Sequence, residues 1–334
     1  MTPAMRACRR PPCLLLATLL AASLALPAAK AGELPKWRHG VVEAKSDAGF
    51  VFMAAKGGFA EKQGLDVEMV QFKGDALALR AMLAGELDSY EGSPGAPLIA
   101  GSRGADVKIT GCYWPGLTYG IYARPSVAGA EDLRGRTLAI SSPGALPDLL
   151  VRAVLEKYRI AGEDVRFTVM GSDADRFKAV TAGIVDAAAA STEFAPIAAQ
   201  NGVKLLVQAH DVVPEYLRFC TYMSRRTLGQ RGEEAARFLA AEMTAWRFAL
   251  NNRDKVIALA HEVTGSKADD ARPAYVFDEV KRTGAVDPAM PIPADKLTWM
   301  RDLLVRTGNL ATPVDIATLV DERPRARALS LLGN

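Results

Sequence analysis

Histidine and cysteine, which most often carry catalysis or bind metal, are scarce here: three His and four Cys in 334 residues. His39, His210 and His261 stand alone, with no H-E-x-x-H pair among them, and no cysteine cluster has zinc spacing. The G-x-S-x-G elbow, the G-x-x-x-x-G-K-[ST] phosphate loop and the G-x-G-x-x-G dinucleotide loop are all missing. These absences count against metal catalysis, nucleophilic hydrolysis and nucleotide chemistry, so neither enzymatic activity nor a cofactor or metal is expected.

An excess of positive charge is missing too once the chain is divided. Arg6, Arg9 and Arg10 precede an uncharged apolar stretch, residues 13–26, and Ala29-Lys30-Ala31 follows. That order is the pattern of an export signal peptide over residues 1–31, with cleavage expected after Ala31. The apolar run is shorter than the roughly 20 residues of a spanning helix, and no Cys sits at the cleavage point to carry a lipid. The segment holds four cations and no acid, so its removal takes the formal charge from +3 to −1. Nothing is left of the basic excess that a nucleic-acid partner demands. Export implies a periplasmic location and an oxidising compartment. There Cys112 and Cys220 can pair if the fold brings their Cα atoms within about 7 Å, or stay buried as small apolar residues; the sequence leaves both open.

What the sequence does contain is a repeat. At a constant offset of 98, Gly64-Leu65-Asp66-Val67 falls on Gly162-Glu163-Asp164-Val165, and Asp75-Ala76 falls on Asp173-Ala174. The register continues through Ala84-Gly85-Glu86-Leu87-Asp88 on Ala182-Gly183-Ile184-Val185-Asp186, then Ser93 on Ser191 and Gly104 on Gly202. The 303 residues left after cleavage suit two lobes of about 150.

Each unit reads as alternating strands and helices. The first has strands over 40–44, 65–72, 87–91 and 107–112, with helices over 50–63, 76–83 and 96–102; Asp75 is the expected N-cap and Gly85 the C-cap of the middle helix. The second has strands near 137–141, 165–170, 185–190 and 203–208. Helical connections of this length predict parallel sheets, which gather ligands at the strands' carboxyl ends. Beyond residue 233 the texture becomes helical over 233–251, 253–264, 271–282 and 294–308, with Trp246, Phe248, Leu250, Trp299 and Leu304 expected to pack.

Several segments resemble the binding proteins of sulfonate, taurine and nitrate importers, together with the thiamine-pyrimidine-precursor binders of the same superfamily. They are the run from Gly57-Gly58-Phe59 to Gly64-Leu65-Asp66-Val67, then Ala84-Gly85-Glu86-Leu87-Asp88, Asp132-Leu133-Arg134-Gly135-Arg136, Ala182-Gly183-Ile184-Val185-Asp186 and Gly308-Asn309-Leu310. The cysteine-rich motif of the superfamily's pyrimidine synthase is missing. The resemblance implies an α/β type II periplasmic binding protein fold: two lobes with mainly parallel sheets joined by a hinge. Crossovers are expected near 121–124 and 217–224, giving lobe one as 32–121 plus 222–334 and lobe two as 122–221. It also implies a monomer that closes on a small-molecule ligand and meets an ABC permease with its ATPase in the inner membrane.

On both routes the site is the set of loops at the strands' carboxyl ends. In lobe one these hold Ser46, Asp47, Phe50, Glu91, Gly92 and Ser93; in lobe two, Ser141, Ser142, Gly144, Met170, Ser191, Thr192 and Glu193. Ser142 and Gly144 precede a helix opening at Pro147, where free N–H groups and the helix dipole suit an anionic head group. Trp114 and Tyr119 approach the crossover and are expected to wall the cleft, with Tyr122 less so. Three acids in the mouth, Asp47, Glu91 and Glu193, would repel a plain oxyanion and point to a ligand with an amino group, a taurine-like zwitterion or an aminopyrimidine rather than nitrate.

Overall fold

A computed structural model describes residues 33–333 of the protein; the expected signal segment lies outside the described residues. The strand expected over 40–44 begins and ends earlier, as β1 (Lys36–Val42), and the helix expected over 50–63 follows as three short turns, α1 (Ala48–Val51), α2 (Met53–Lys56) and α3 (Phe59–Lys62). Gly57-Gly58 breaks it: Gly58 takes a left-handed φ of 75° as the N-cap of α3, a conformation that favours glycine. Then come β2 (Asp66–Phe72), α4 (Asp75–Ala84), β3 (Ser89–Gly92), α5 (Gly95–Ser102) and β4 (Lys108–Trp114). Gly85 closes α4 with φ 85° as expected, but Gly74 and not Asp75 is its N-cap, which makes Asp75 the first helical residue.

The second unit runs β5 (Tyr119–Ala123), β6 (Thr137–Ile140), α6 (Leu146–Lys157), β7 (Arg166–Val169), α7 (Asp173–Thr181), β8 (Ala187–Ser191), α8 (Ala195–Ala198), β9 (Lys204–Gln208) and α9 (Ala209–Val212). The chain ends with β10 (Phe219–Met223), α10 (Arg225–Gln230), α11 (Gly232–Ala249), α12 (Arg253–Thr264), α13 (Arg272–Thr283), α14 (Ala294–Arg306) and α15 (Arg323–Leu331).

The strands assemble into two sheets of identical plan, β2-β1-β3-β10-β4 and β7-β6-β8-β5-β9. Within each, the first three strands pair in parallel, and one reversed strand, β10 or β5, is antiparallel to both of its neighbours. The reversed strands are exchanged: β5 ends the first repeat but lies in the second sheet, and β10 returns the favour to the first. The offset of 98 carries α4 onto α7 and β3 onto β8, and brings β5 to within two residues of β10. The chain therefore passes between sheets through 115–118 and 213–218. The crossings expected near 121–124 and 217–224 come too late, because Tyr119–Ala123 already pairs along its length with β8 and Phe219–Met223 with β4.

The C-terminal helices cover the first sheet but do not stop there. Helix α11 packs on α2, α3 and α15, whereas α13 also meets the turn at Thr192–Phe194, and α14 meets both α5 and α6. Gly49 is needed where α1 crosses α12, since a Cβ there would stand 1.9 Å from the Val256 carbonyl oxygen. An aromatic core forms beneath, with Phe50 stacked on Trp246 and Phe277, and Trp114 edge-on to Trp246. Cys112 and Cys220 form a disulfide between β4 and β10, their Cα atoms 3.9 Å apart. No helix among the described residues is long and apolar enough to cross a membrane.

Candidate functional site

Between the carboxyl ends of the two parallel strand sets lies a cleft of about 730 Å³. The loop after β1 and the starts of α4 and α5 form one wall; the loops after β6 and β7 and the Glu193–Phe194 turn form the other. Thr264, Ser266 and Arg272, from α12, the turn after it and α13, close one end.

Two contacts bridge the walls. Lys45 Nζ lies 2.6 Å from Asp173 Oδ2 and donates to Tyr119 Oη at 2.8 Å, while Tyr119 Oη donates to the same carboxylate at 2.8 Å. Arg176 pairs with the other Asp173 oxygen and also donates to the Ala189 carbonyl at 2.7 Å. Burial pushes the Asp173 carboxyl up, yet Lys45 and Arg176 outweigh it and hold the pKa down at about 2. Burial likewise opposes the Lys45 ammonium, but Asp173 keeps its pKa above the ordinary lysine value. The second bridge runs from the Ser46 N–H to Glu193 Oε2 at 2.9 Å. Burial raises the pKa of Glu193 in spite of that hydrogen bond.

Of the residues expected at the site, Ser46, Tyr119, Ser141, Ser142, Gly144, Met170 and Glu193 line the cleft together. Asp47 and Glu91 lie beside a void of about 10 Å³, the size of one water. There Asp47 pairs with Arg218, and Glu91 accepts from Tyr113 with His39 Nε2 4.0 Å away. Phe50 and Trp114 belong to the aromatic core, where the Arg218 guanidinium stacks 4.0 Å from the Trp114 ring centre. Ser191 and Thr192 are buried beneath the cleft, Ser191 capping its own turn and Thr192 donating to the Thr118 carbonyl. Gly92 and Ser93 lie behind α4. The three acids expected in the mouth are thus reduced to Glu193, since side chains at the ends of β1 and β3 turn into the lobe.

The anion cradle expected at Gly144 is filled from within. Gly144 N–H donates to Asp148 Oδ2 at 2.8 Å and Ala145 N–H to the Ser142 carbonyl at 3.1 Å. Helix α7 is closed in the same way, by a capping box between Ser172 and Asp175. Both lobe-two helices that face the cleft therefore present a carboxylate where a ligand anion would sit.

Sequence reasoning gave no role to Lys45, which shares the site loop of Ser46 and Asp47, and passed over Asp75, Asp173, Arg176 and Arg218 as site residues. The offset of 98 aligns Asp75 with Asp173, and these two acids prove to face the same cleft from opposite walls. Arg218 is fully buried, donates to Thr118 Oγ1 at 2.7 Å and pairs with Asp47. It ties both passages between the sheets to the loop that carries Lys45.

Two α/β sheets of one plan, an exchanged strand in each and a cleft between their carboxyl edges define a two-lobed protein of the periplasmic binding protein fold. The chain belongs to the NMT1/THI5-like family, whose profile matches residues 45–256. Among solved structures it is similar to the alkanesulfonate-binding protein SsuA of Xanthomonas axonopodis pv. citri bound to MOPS, at 21% identity over 87% of this chain and 100% of that one, with a TM-score of 0.72. It is also similar to the periplasmic aliphatic sulphonate binding protein SsuA of Escherichia coli, at 20% identity, 86% and 92% coverage and a TM-score of 0.71. A Candida albicans protein described as having the generic periplasmic binding protein fold matches at 16% identity, 86% and 97% coverage and a TM-score of 0.70. No curated protein matches the sequence. At these identities the likeness establishes the fold.

Proposed function

We propose that the protein is the exported solute-binding component of an ABC importer, capturing a small sulfonate-like or related nitrogen- or sulfur-bearing solute between its lobes. The observation that carries this is the direct bridging of opposite walls, Lys45 to Asp173 and Ser46 to Glu193, across a cleft large enough for a small organic molecule. The lobes divide at 115–118 and 213–218, and these two segments act as the hinge. Ligand binds one wall first, and contacts from the second favour the closed form by differential affinity. An inner-membrane permease with its ATPase then receives the closed monomer from the periplasm.

The solutes named for the similar SsuA proteins support a sulfonate, and membership of the NMT1/THI5-like family supports an aminopyrimidine as the second reading. Carboxylates in the cleft weigh against a bare oxyanion such as nitrate in either case. Binding without turnover is expected, with Asp173 held in ion pairs to Lys45 and Arg176 and Glu193 accepting from the Ser46 N–H.

The test is a thermal-shift screen over sulfonates, taurine, nitrate, aminopyrimidines and aromatic acids, with small-angle scattering on the hits. A binding solute at a hundred times its Kd is expected to stabilise by about 2.7 kcal/mol and to reduce the radius of gyration. Chemical conversion of a solute on incubation would overturn the reading, as would a screen in which none stabilises the protein.

A further inference from the structure

The cleft changes character from floor to mouth. On its floor Lys45, Tyr119, Asp173 and Arg176 are buried or nearly so and satisfy one another: Lys45 and Arg176 pair with Asp173, and Tyr119 Oη joins Lys45 to the same carboxylate. Arg272, at the closed end, is likewise held by Asp270. At the mouth the walls are hydrocarbon. Leu77, in the first turn of α4, is 45% exposed, and Val169, the last residue of β7, is 63% exposed. Both line the cleft, from opposite lobes. Among the described residues the only other exposed large hydrophobic side chains are Leu34 and Ile184.

The repeated frame does not call for hydrocarbon at either place. At the offset of 98, Leu77 corresponds to Asp175 and Val169 to Gln71. Asp175 closes the first turn of α7 with Ser172, and Gln71 Oε1 accepts from the Ala44 N–H at 2.9 Å. Each counterpart thus serves its own lobe, whereas Leu77 and Val169 pack in none of the three hydrophobic clusters among the described residues. Other apolar side chains join them. Ile99 of α5 comes within 3.0 Å of the point where a Cβ on Gly144 would stand, so it packs against the opposite lobe, and Pro143 and Met170 line the same wall as Val169. Exposed hydrophobic side chains scattered singly are normal; five lining one cleft, from both walls, mark a surface that a ligand covers.

The paired charges of the floor limit what a head group can gain. Lys45, Arg176 and Arg272 already have counter-ions, so a polar group that reaches them shares partners in place and meets no bare charge. We infer that the captured solute is an amphiphile: a small polar head that meets the floor, and a ring-sized apolar body held between Leu77 and Ile99 on the first lobe and Pro143, Val169 and Met170 on the second. This rests on the solute-binding reading above and narrows its substrate class, setting aside solutes that are all head group, such as taurine and nitrate. The size of the cleft agrees. Its volume of about 730 Å³ falls within the roughly 300–1,000 Å³ of pockets that enclose drug-sized ligands. Closing the lobes takes the apolar body and both walls out of water together, which ties the strength of closure to the width of that body.

The experiment has two arms, both on the full mature protein. In the first, carbon-13 methyl NMR follows Leu77 and Val169, their signals assigned from Leu77→Ala and Val169→Ala, during titration with benzyl alcohol and with ethanol, its counterpart without a ring. Benzyl alcohol is expected to move both sets of methyl signals along one saturating curve, and ethanol to move neither. In the second, calorimetry compares naphthalene-2-sulfonate with methanesulfonate, and 4-aminoquinazoline with 4-aminopyrimidine. Within a pair whose head group binds, the member with the wider body is expected to bind at least about tenfold tighter and with a more negative heat-capacity change. In the double variant Leu77→Ser, Val169→Ser that preference is expected to fall to about twofold or less. If benzyl alcohol leaves either residue's methyl signals in place, if the two members of a pair bind equally, or if the preference survives the double substitution, the inference fails. Each of those outcomes leaves the solute-binding reading standing wherever a small solute still stabilises the protein. Conversely, a screen with no binding solute sinks that reading, while the benzyl alcohol titration still decides the apolar mouth.

Discussion

The two walls of the cleft were built on the same plan and finished differently. In the second lobe Asp173 is surrounded by a lysine, an arginine and a tyrosine, and its helix closes its own first turn through Ser172 and Asp175. In the first lobe the matching Asp75 has Ala78 where Arg176 stands in the second, and its carboxyl is hydrogen-bonded from the Ser93 backbone. Further from the cleft the balance reverses. Asp88 takes Arg231 at 2.6 Å and Arg38 at 3.3 Å, whereas its counterpart Asp186 has Arg136 only at 3.7 Å, besides one backbone N–H. A repeated frame fixes where a helix starts and which residue opens it. The partners come from neighbouring elements, so each copy can surround the same acid differently.

The comparison breaks most forcefully at Asp173. Asp173→Ala strands Lys45 and Arg176 without a counter-ion in a buried setting, and a loss of about 3–5 kcal/mol is expected in urea unfolding. A loss below about 1 kcal/mol would mean that the second wall is not held by this carboxylate.

Asp75→Asn tests the other side with the opposite sign. The folded protein holds a proton on Asp75 up to about pH 7, against an ordinary carboxyl value of 3.8. Folding therefore takes up protons in that window, and the stability withheld by this group grows as pH rises from about 4 to about 7. The variant is expected to match the parent at pH 4 and to exceed it by about 1–3 kcal/mol at pH 8. Parallel pH profiles for the two proteins would remove the contrast between the walls.

The smallest effect sharpens the reversed pair. Asp186→Asn, at a half-exposed single ion pair, is expected to cost about 1 kcal/mol or less, and Asp88→Asn, with two arginines and a backbone N–H at a buried carboxylate, about twice that. Equal losses in the two variants would show that the second arginine contributes nothing.

Much of this was legible in the chain. The offset of 98 anticipated matching sheets, and the expected strands over 65–72 and 203–208 lie within a residue of β2 and β9. Strands β5 and β10 were read as crossings because each is a short apolar segment whose partners are 60 or more residues away, and the choice of sheet is not written locally. The site was half legible for a related reason. Loop membership identified Ser46, Tyr119, Ser141, Ser142, Gly144, Met170 and Glu193 as cleft-lining, since strand polarity dictates which loops share an edge. Whether Asp47 or Glu91 points outward depends on Arg218 and Tyr113, which arrive from distant segments. Asp75 and Asp173 had been aligned by the repeat itself; what concealed them was their position on helices, where a first-turn acid is the ordinary complement to the helix dipole.

The link between Cys112 and Cys220 spans a sequence separation of 108 and encloses the whole second lobe with both hinge segments. Mechanically, the second lobe is a closed ring hung on the first. Tension applied at the two ends of the chain can extend residues before Cys112 and after Cys220, but it passes through the sulfurs and never reaches β5 to β9. A single cut in either hinge segment leaves the second lobe attached through the other, and the sulfurs keep the two resulting fragments, and with them the two parts of the first lobe, joined until the link is reduced.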